Sequence, residues 1–180
     1  MDYSLCTKEV MRMKKTLVVY YSWSNGNTKR IAQEICDKVN ADVVRIDTVV
    51  PYPKDYDTTV NQGQEEVNRN FRPDIKPLGV SVSDYDVIVV GTPTWWYTMA
   101  PAVATFLEST NLDGKIVIPF MTNGGWPGHV IKDMEAYCQN SRVVCPKEIQ
   151  FDSQGKDHLI TKQTEIDAWI ESIKQIVEEA

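Results

Sequence analysis

The chain has 180 residues, 42% of them hydrophobic and 24% charged. That length suits one compact unit, and that balance excludes a disordered, fibrous or low-complexity protein. Nineteen Lys and Arg against 25 Asp and Glu leave a net charge of −6, which removes any dominant electrostatic pull toward nucleic acid or an anionic membrane.

Residues 1–12 show no periodicity and are expected to form an N-terminal extension, taken here as 1–13, ahead of a folded domain over 14–180. The apolar run Leu17, Val18, Val19, Tyr20, Tyr21 predicts a strand buried on both faces. After polar residues 22–27, Ile31, Ile35 and Val39 with Ala32 form a helical stripe. Val43, Val44 and Ile46 predict a second strand. Pro51, Tyr52, Pro53 and Tyr56 then interrupt regular structure before a polar helix over residues 59–70, ended by Pro73 and Pro77. Residues 86–91 predict a third strand, residues 93–97 its loop, and Pro101 the first turn of a helix carrying Val103, Phe106 and Leu107. A fourth strand over 115–120 leads through a loop at 122–125 to a helix over 128–139. The last strand lies within 142–151, broken by Pro146, and Ile166, Trp169, Ile170, Ile173 and Val177 mark a C-terminal helix. Five strands alternating with helices predict an α/β fold with a parallel sheet and right-handed crossovers.

Several chemistries are excluded or disfavoured. No apolar run approaches the roughly 18 residues of a membrane span, and residues 1–12 lack a secretory core, so no membrane insertion and a cytoplasmic location are expected. Cys6, Cys36, Cys138 and Cys145 show no CxxC spacing, and His129 and His158 do not make a metal site, so no metal is expected. The Cys6 to Arg12 spacing resembles a phosphatase loop but lacks its glycines and preceding strand.

In open parallel sheets, ligands bind beyond the carboxyl ends of the strands where the strand order reverses. Three loops fall there. The first, Ser22, Trp23, Ser24, Asn25, Gly26, Asn27 and Thr28, offers hydroxyls, amides and free N–H groups at a helix start, which suit a phosphate. An ordinary N-cap is the alternative, but it needs far fewer polar residues. GxxxxGK[ST], GxGxxG and an acidic pair after the first strand are all absent, which leaves a monophosphate without metal. The second loop, Pro93, Thr94, Trp95, Trp96 and Tyr97, places three adjacent aromatics where a flat ring could stack. Alternation along an extended backbone would turn Trp95 and Trp96 to opposite sides, one inward and one toward the ring. The third, Thr122, Asn123, Gly124, Gly125 and Trp126, combines donors with glycines that permit close approach; a plain turn is its alternative.

These three motifs, in this order over about residues 14–178, resemble the flavodoxin-like flavoproteins, and most closely a branch with a Pro-x-Trp-Trp loop and a Pro-Tyr-Pro-x-x-Tyr segment, here Pro51 to Tyr56. The resemblance implies a doubly wound five-stranded parallel sheet of order 2-1-3-4-5 with helices on both faces. It implies noncovalent FMN, with Ser22, Ser24, Asn25, Gly26, Asn27 and Thr28 around the phosphate. Pro93, Thr94, Trp95 and Trp96, and Thr122, Asn123, Gly124 and Gly125, would flank the isoalloxazine. Asn25 is an insertion relative to the usual loop. The expected function is electron transfer through FMN, with an unidentified redox protein, or NAD(P)H and a small planar acceptor, as partners. An NAD(P)H-dependent FMN or quinone reductase is the alternative, and a non-enzymatic ligand-binding or regulatory module on the same fold is the alternative of another class. Residues 51–77 would form either a wall of a second substrate pocket, through Tyr52 and Tyr56, or a covering loop.

Overall fold

The structure, a computed structural model, describes residues 13–154 and 156–179; apart from Met13, the expected N-terminal extension lies outside the described residues. The first strand, β1 (Thr16–Tyr20), is buried at every position. Its side chains alternate, so Leu17 and Val19 enter one core while Val18 and Tyr20 enter the other. The strands β3 (Val87–Trp95) and β5 (Ile116–Asn123) divide in the same way: Ile88, Val90, Val117 and Met121 on one face, and Val87, Val89, Ile118 and Phe120 on the other. Continuous apolar runs are what a sheet covered on both faces requires.

Parallel pairing gives the order β2-β1-β3-β5-β6, where β2 is Asp42–Arg45 and β6 is Arg142–Val143. A further strand, β7 (Lys147–Gln150), also pairs in parallel with β5, so β6 and β7 fill one position in the sheet. They are separated at Cys145, whose φ of 48° turns the chain immediately before Pro146. This is the expected 2-1-3-4-5 order. The two-residue β4 (Thr98–Met99) lies off it, antiparallel to β3.

Helices α1 (Asn27–Val39) and α5 (Gln163–Glu178) cover one face. Ile31, Ala32, Ile35 and Val39 of α1 meet the sheet beside Ile166, Trp169, Ile170, Ile173 and Val177 of α5, each large apolar side chain contributing about 2 kcal/mol on burial. The other face carries α3 (Pro101–Ser109) and α4 (Val130–Ala136), through Val103, Phe106, Leu107, Val130 and Met134. Helix α2 (Tyr56–Asn68) packs on α3 and β3, and the residues it buries are Thr59, Gly63 and Glu66 rather than an apolar stripe.

Four boundaries differ from the sequence expectation. Helix α2 begins at Tyr56, earlier than expected, because Asp55 caps it by accepting the Thr58 N–H at 2.9 Å. Helix α4 is shorter than 128–139. The segment 93–97 is not a free loop: β3 continues to Trp95, turns through Trp96 and Tyr97, with φ of 48° and 68°, and returns as β4. Thr122 and Asn123 likewise belong to β5. The turn also removes the premise of simple alternation, and Trp95 and Trp96 both face the cavity described next.

Candidate functional site

At the carboxyl ends of β1, β3 and β5 lies a cavity of about 290 Å³. Ser24, Asn27 and Thr28 reach it from the first loop, Pro93, Thr94, Trp95 and Trp96 from the β3–β4 hairpin, and Thr122, Asn123 and Gly124 from the end of β5. The first and third of these segments are joined: Thr28 and Thr122, both buried, share a hydrogen bond between their hydroxyls at 2.8 Å. We expect Thr122→Val to cost about 1–3 kcal/mol in a chemical denaturation series, because the Thr28 hydroxyl would lose its buried partner.

Three of the singled-out residues, Ser22, Asn25 and Gly26, lie on the other side of the first loop. There, with Ser24, Lys29, Arg30 and Arg45, they line a shallower cleft of about 550 Å³. Gly125 lines neither cavity, and its N–H donates to Asn123 Oδ1 at 2.7 Å, which closes the turn.

The first loop meets α1 without a side-chain cap. Its N-cap residue is Gly26 at φ 77°, a conformation that favours glycine, and no acidic residue sits in the first turn. The leading N–H groups therefore point outward with the positive end of the helix dipole. The Ser22 hydroxyl, in a residue only 5% exposed, has no hydrogen-bond partner among the described residues. Arg45 donates to the Ser22 carbonyl at 3.0 Å and fixes the start of the loop. On the wall of the cavity itself, the buried Thr94 hydroxyl is likewise unpartnered among the described residues. A native fold satisfies nearly all such groups, so each marks a place where another donor or acceptor belongs.

Residues that sequence reasoning missed complete the walls. Thr59, Val60 and Gly63 of α2 border the cavity, as do Phe151 and Asp152 after β7, and so does Tyr56, for which the sequence left a second-substrate wall and a covering loop both open. Gly63 carried a readable signal, a glycine inside a helix. A Cβ there would stand 3.1 Å from Cε3 of Trp95. Trp96 donates its indole N–H to the Val60 carbonyl at 2.8 Å and so ties the hairpin to α2. Asp152 accepts the N–H groups of Lys156 and Gln154 at 3.0 Å each; these bonds hold its carboxyl below the usual carboxylate range and place a negative charge on this wall. Asn27 donates to the Lys156 carbonyl at 3.0 Å, so the same segment braces the first loop.

Trp95 belongs to an aromatic cluster. Its ring centroid is 4.8 Å from that of Tyr52, 5.8 Å from Tyr21 and 6.5 Å from Trp23, all edge to face. Tyr52, expected as a pocket wall, stands here in a second layer. Burial pushes the phenol of Tyr21 upward, and burial together with the hydrogen bond to Glu66 does the same for Tyr52, so both stay protonated.

A family model described as flavodoxin matches residues 15–173. The chain belongs to the flavodoxin family. Among solved structures, a protein of Bacteroides eggerthii assigned as a flavoprotein is 28% identical, with a TM-score of 0.71 over 89% of this chain and 98% of the other. A flavoprotein of Lactobacillus acidophilus solved in complex with FMN is 23% identical, with a TM-score of 0.68 over 87% and 98%. A flavodoxin from the domain Archaea is 20% identical, with a TM-score of 0.55 over 91% and 96%. The curated proteins contain no match. Among the described residues no helix is long and apolar enough to cross a membrane, and no group of three or more His, Cys, Asp or Glu side chains stands ready for a metal.

Proposed function

We propose that this chain binds FMN noncovalently around the first loop, with its ring in the cavity and its phosphate toward the adjoining cleft, and serves as an electron-transfer flavoprotein. The carrying observation is the pairing of two unpartnered hydroxyls with two different surroundings. Ser22 Oγ belongs to the cleft it shares with Gly26 at an uncapped helix start, where a phosphate fits, and Thr94 Oγ1 lies in the cavity among Trp95 and Trp96, where a polar edge of a planar ring fits. The FMN complex of the Lactobacillus relative supports the same reading. When bound, FMN supplies the one- and two-electron chemistry. The chain's own part is to hold the phosphate with N–H and hydroxyl donors of residues 22–28, to stack and orient the ring with Trp95 or Trp96, and to exclude water with Tyr56 and α2.

Titrating the cofactor-free chain with FMN tests this: flavin emission should be quenched on binding and remain quenched through gel filtration. Unchanged emission at saturating protein would refute the proposal. Because the phosphate would be held by backbone geometry, Gly26→Val, which puts a β-branched side chain at φ 77°, should weaken FMN by about tenfold or more, and Lys29→Ala by much less. A larger loss for Lys29→Ala would mean that side-chain charge holds the anion. Of four Trp→Leu variants, those at 95 and 96 should restore flavin emission most, since Trp126 does not line the cavity and Trp23 lines the end of it nearer the first loop.

A second reading, an NAD(P)H-dependent reductase, is favoured by the exposure of two aromatic residues at the cavity wall, Tyr56 (59%) and Trp96 (37%), which leaves surface for a planar acceptor. NAD(P)H oxidation with a panel of quinones separates the two.

A further inference from the structure

The mechanism above leaves one buried carboxylate unused. Glu66 of α2 is 2% exposed. It accepts the Tyr52 hydroxyl at 2.6 Å through one oxygen and the Gln62 amide at 2.8 Å through the other. Burying a carboxylate is costly unless its bonds compensate, and here the compensation comes partly from a phenol whose ring touches Trp95, the wall of the cofactor cavity. On its far side Glu66 borders a second cavity of about 360 Å³, shared with Arg72, Asp133 and Tyr137. The line Trp95, Tyr52, Glu66 therefore crosses from one cavity to the other through direct contacts.

We propose that Trp95, Tyr52 and Glu66 form a proton-coupled electron relay, with Tyr52 as its terminal electron donor and Glu66 as the acceptor of the phenol proton. The proposal rests on the FMN reading for its oxidant, the light-excited isoalloxazine. Trp95 gives one electron to that ring. Tyr52 returns one electron to Trp95, and as it does so its O–H bond breaks and the proton passes to a Glu66 oxygen. The net change is one electron from Tyr52 to the flavin and one proton from Tyr52 to Glu66. A phenol loses an electron readily only when its proton departs with it, because the protonated phenol radical is a very strong acid. The hydrogen-bonded carboxylate supplies that exit. Tyr21 is also an edge-to-face neighbour of Trp95, at 5.8 Å against 4.8 Å for Tyr52, but among the described residues its hydroxyl donates to no carboxylate. The second cavity gives Glu66 an outlet for the proton that does not pass through the cofactor site.

The test is transient absorption of the FMN-loaded chain after a blue pulse. Wild-type protein should show a tryptophan radical followed by the sharp band of a neutral tyrosyl radical, whose rise slows in D2O. Tyr52→Phe should abolish the tyrosyl band and prolong the tryptophan signal. Glu66→Gln keeps the shape and an oxygen to accept the hydrogen bond but takes no proton, so it should also lose the band. A tyrosyl band that survives Tyr52→Phe, or that rises equally fast in Glu66→Gln, overturns the relay. Unquenched flavin emission would count against FMN binding instead, and the cofactor-free chain then decides. Its tryptophans, oxidised by azide radicals in pulse radiolysis, should pass the hole to tyrosine in a fast phase that both variants remove, and persistence of that phase in either variant overturns the relay.

Discussion

Gly128→Ala is expected to lower stability by about 3 kcal/mol, read as a shifted urea midpoint, and to weaken FMN at the same time. Gly128 sits at φ 61°, and a Cβ added there would lie 2.1 Å from the Tyr97 carbonyl oxygen and 2.5 Å from its Cα. Those atoms are backbone, so no rotamer change relieves the overlap, and overpacking adds to the strain of a left-handed alanine. The Tyr97 carbonyl also accepts the His129 N–H at 2.8 Å, a bond that the displaced chain would break. Since Tyr97 closes the hairpin that carries Trp95 and Trp96, its movement should reach the cavity wall. Unchanged FMN affinity together with a large loss of stability would show that the hairpin tip and its tryptophans move independently.

Phe120→Ala should cost about 3–5 kcal/mol by thermal or chemical unfolding, the range for emptying a fully buried aromatic site. Phe120 is completely enclosed, edge to face with Trp169 at 5.8 Å. Its ring lies across Gly91, where a Cβ would stand 2.2 Å from Cζ. Gly91→Ala alone should therefore destabilise through overpacking, by about 1–3 kcal/mol. In the double variant the two costs should not add, because the alanine methyl at 91 would enter space that the lost ring leaves. Additive costs would mean that the sheet had already shifted in one of the single variants.

Much of this arrangement was legible in the sequence because it depends on local patterns. The buried run of β1, the stripe of α1 and the five-residue stripe of α5 can each be read from spacing alone, and the position of the three loops at the strand ends follows from the topology. What was not legible depends on contacts distant in the chain. Nothing local announces that Trp96 and Tyr97 adopt positive φ, since neither is a usual turn residue; the Trp96 bond to Val60 and the bond from His129 to Tyr97 hold them there. The wall supplied by α2 was hidden for a related reason: its inward positions are Thr59, Gly63 and Glu66, so the helix buries small and polar groups and shows no apolar period. Residue types alone make Ser22, Ser24, Asn25 and Gly26 look like one phosphate loop, whereas the loop separates two hollows and presents some residues to each.

The interruption at Cys145 and Pro146 has a further effect on how separate molecules meet. One border of the sheet is β2, short and carrying Asp42 and Arg45 outward; the other is a strand position cut into two pieces, with Arg142 on the first and Glu148 and Gln150 exposed on the second. Neither border of the described sheet offers the long, flat row of free N–H and C=O groups on which a foreign strand could add. Crowding the folded protein should therefore not stitch neighbouring sheets together, and the hazard of aggregation passes to opened chains, where the apolar segments at 87–90 and 116–121 lose their cover.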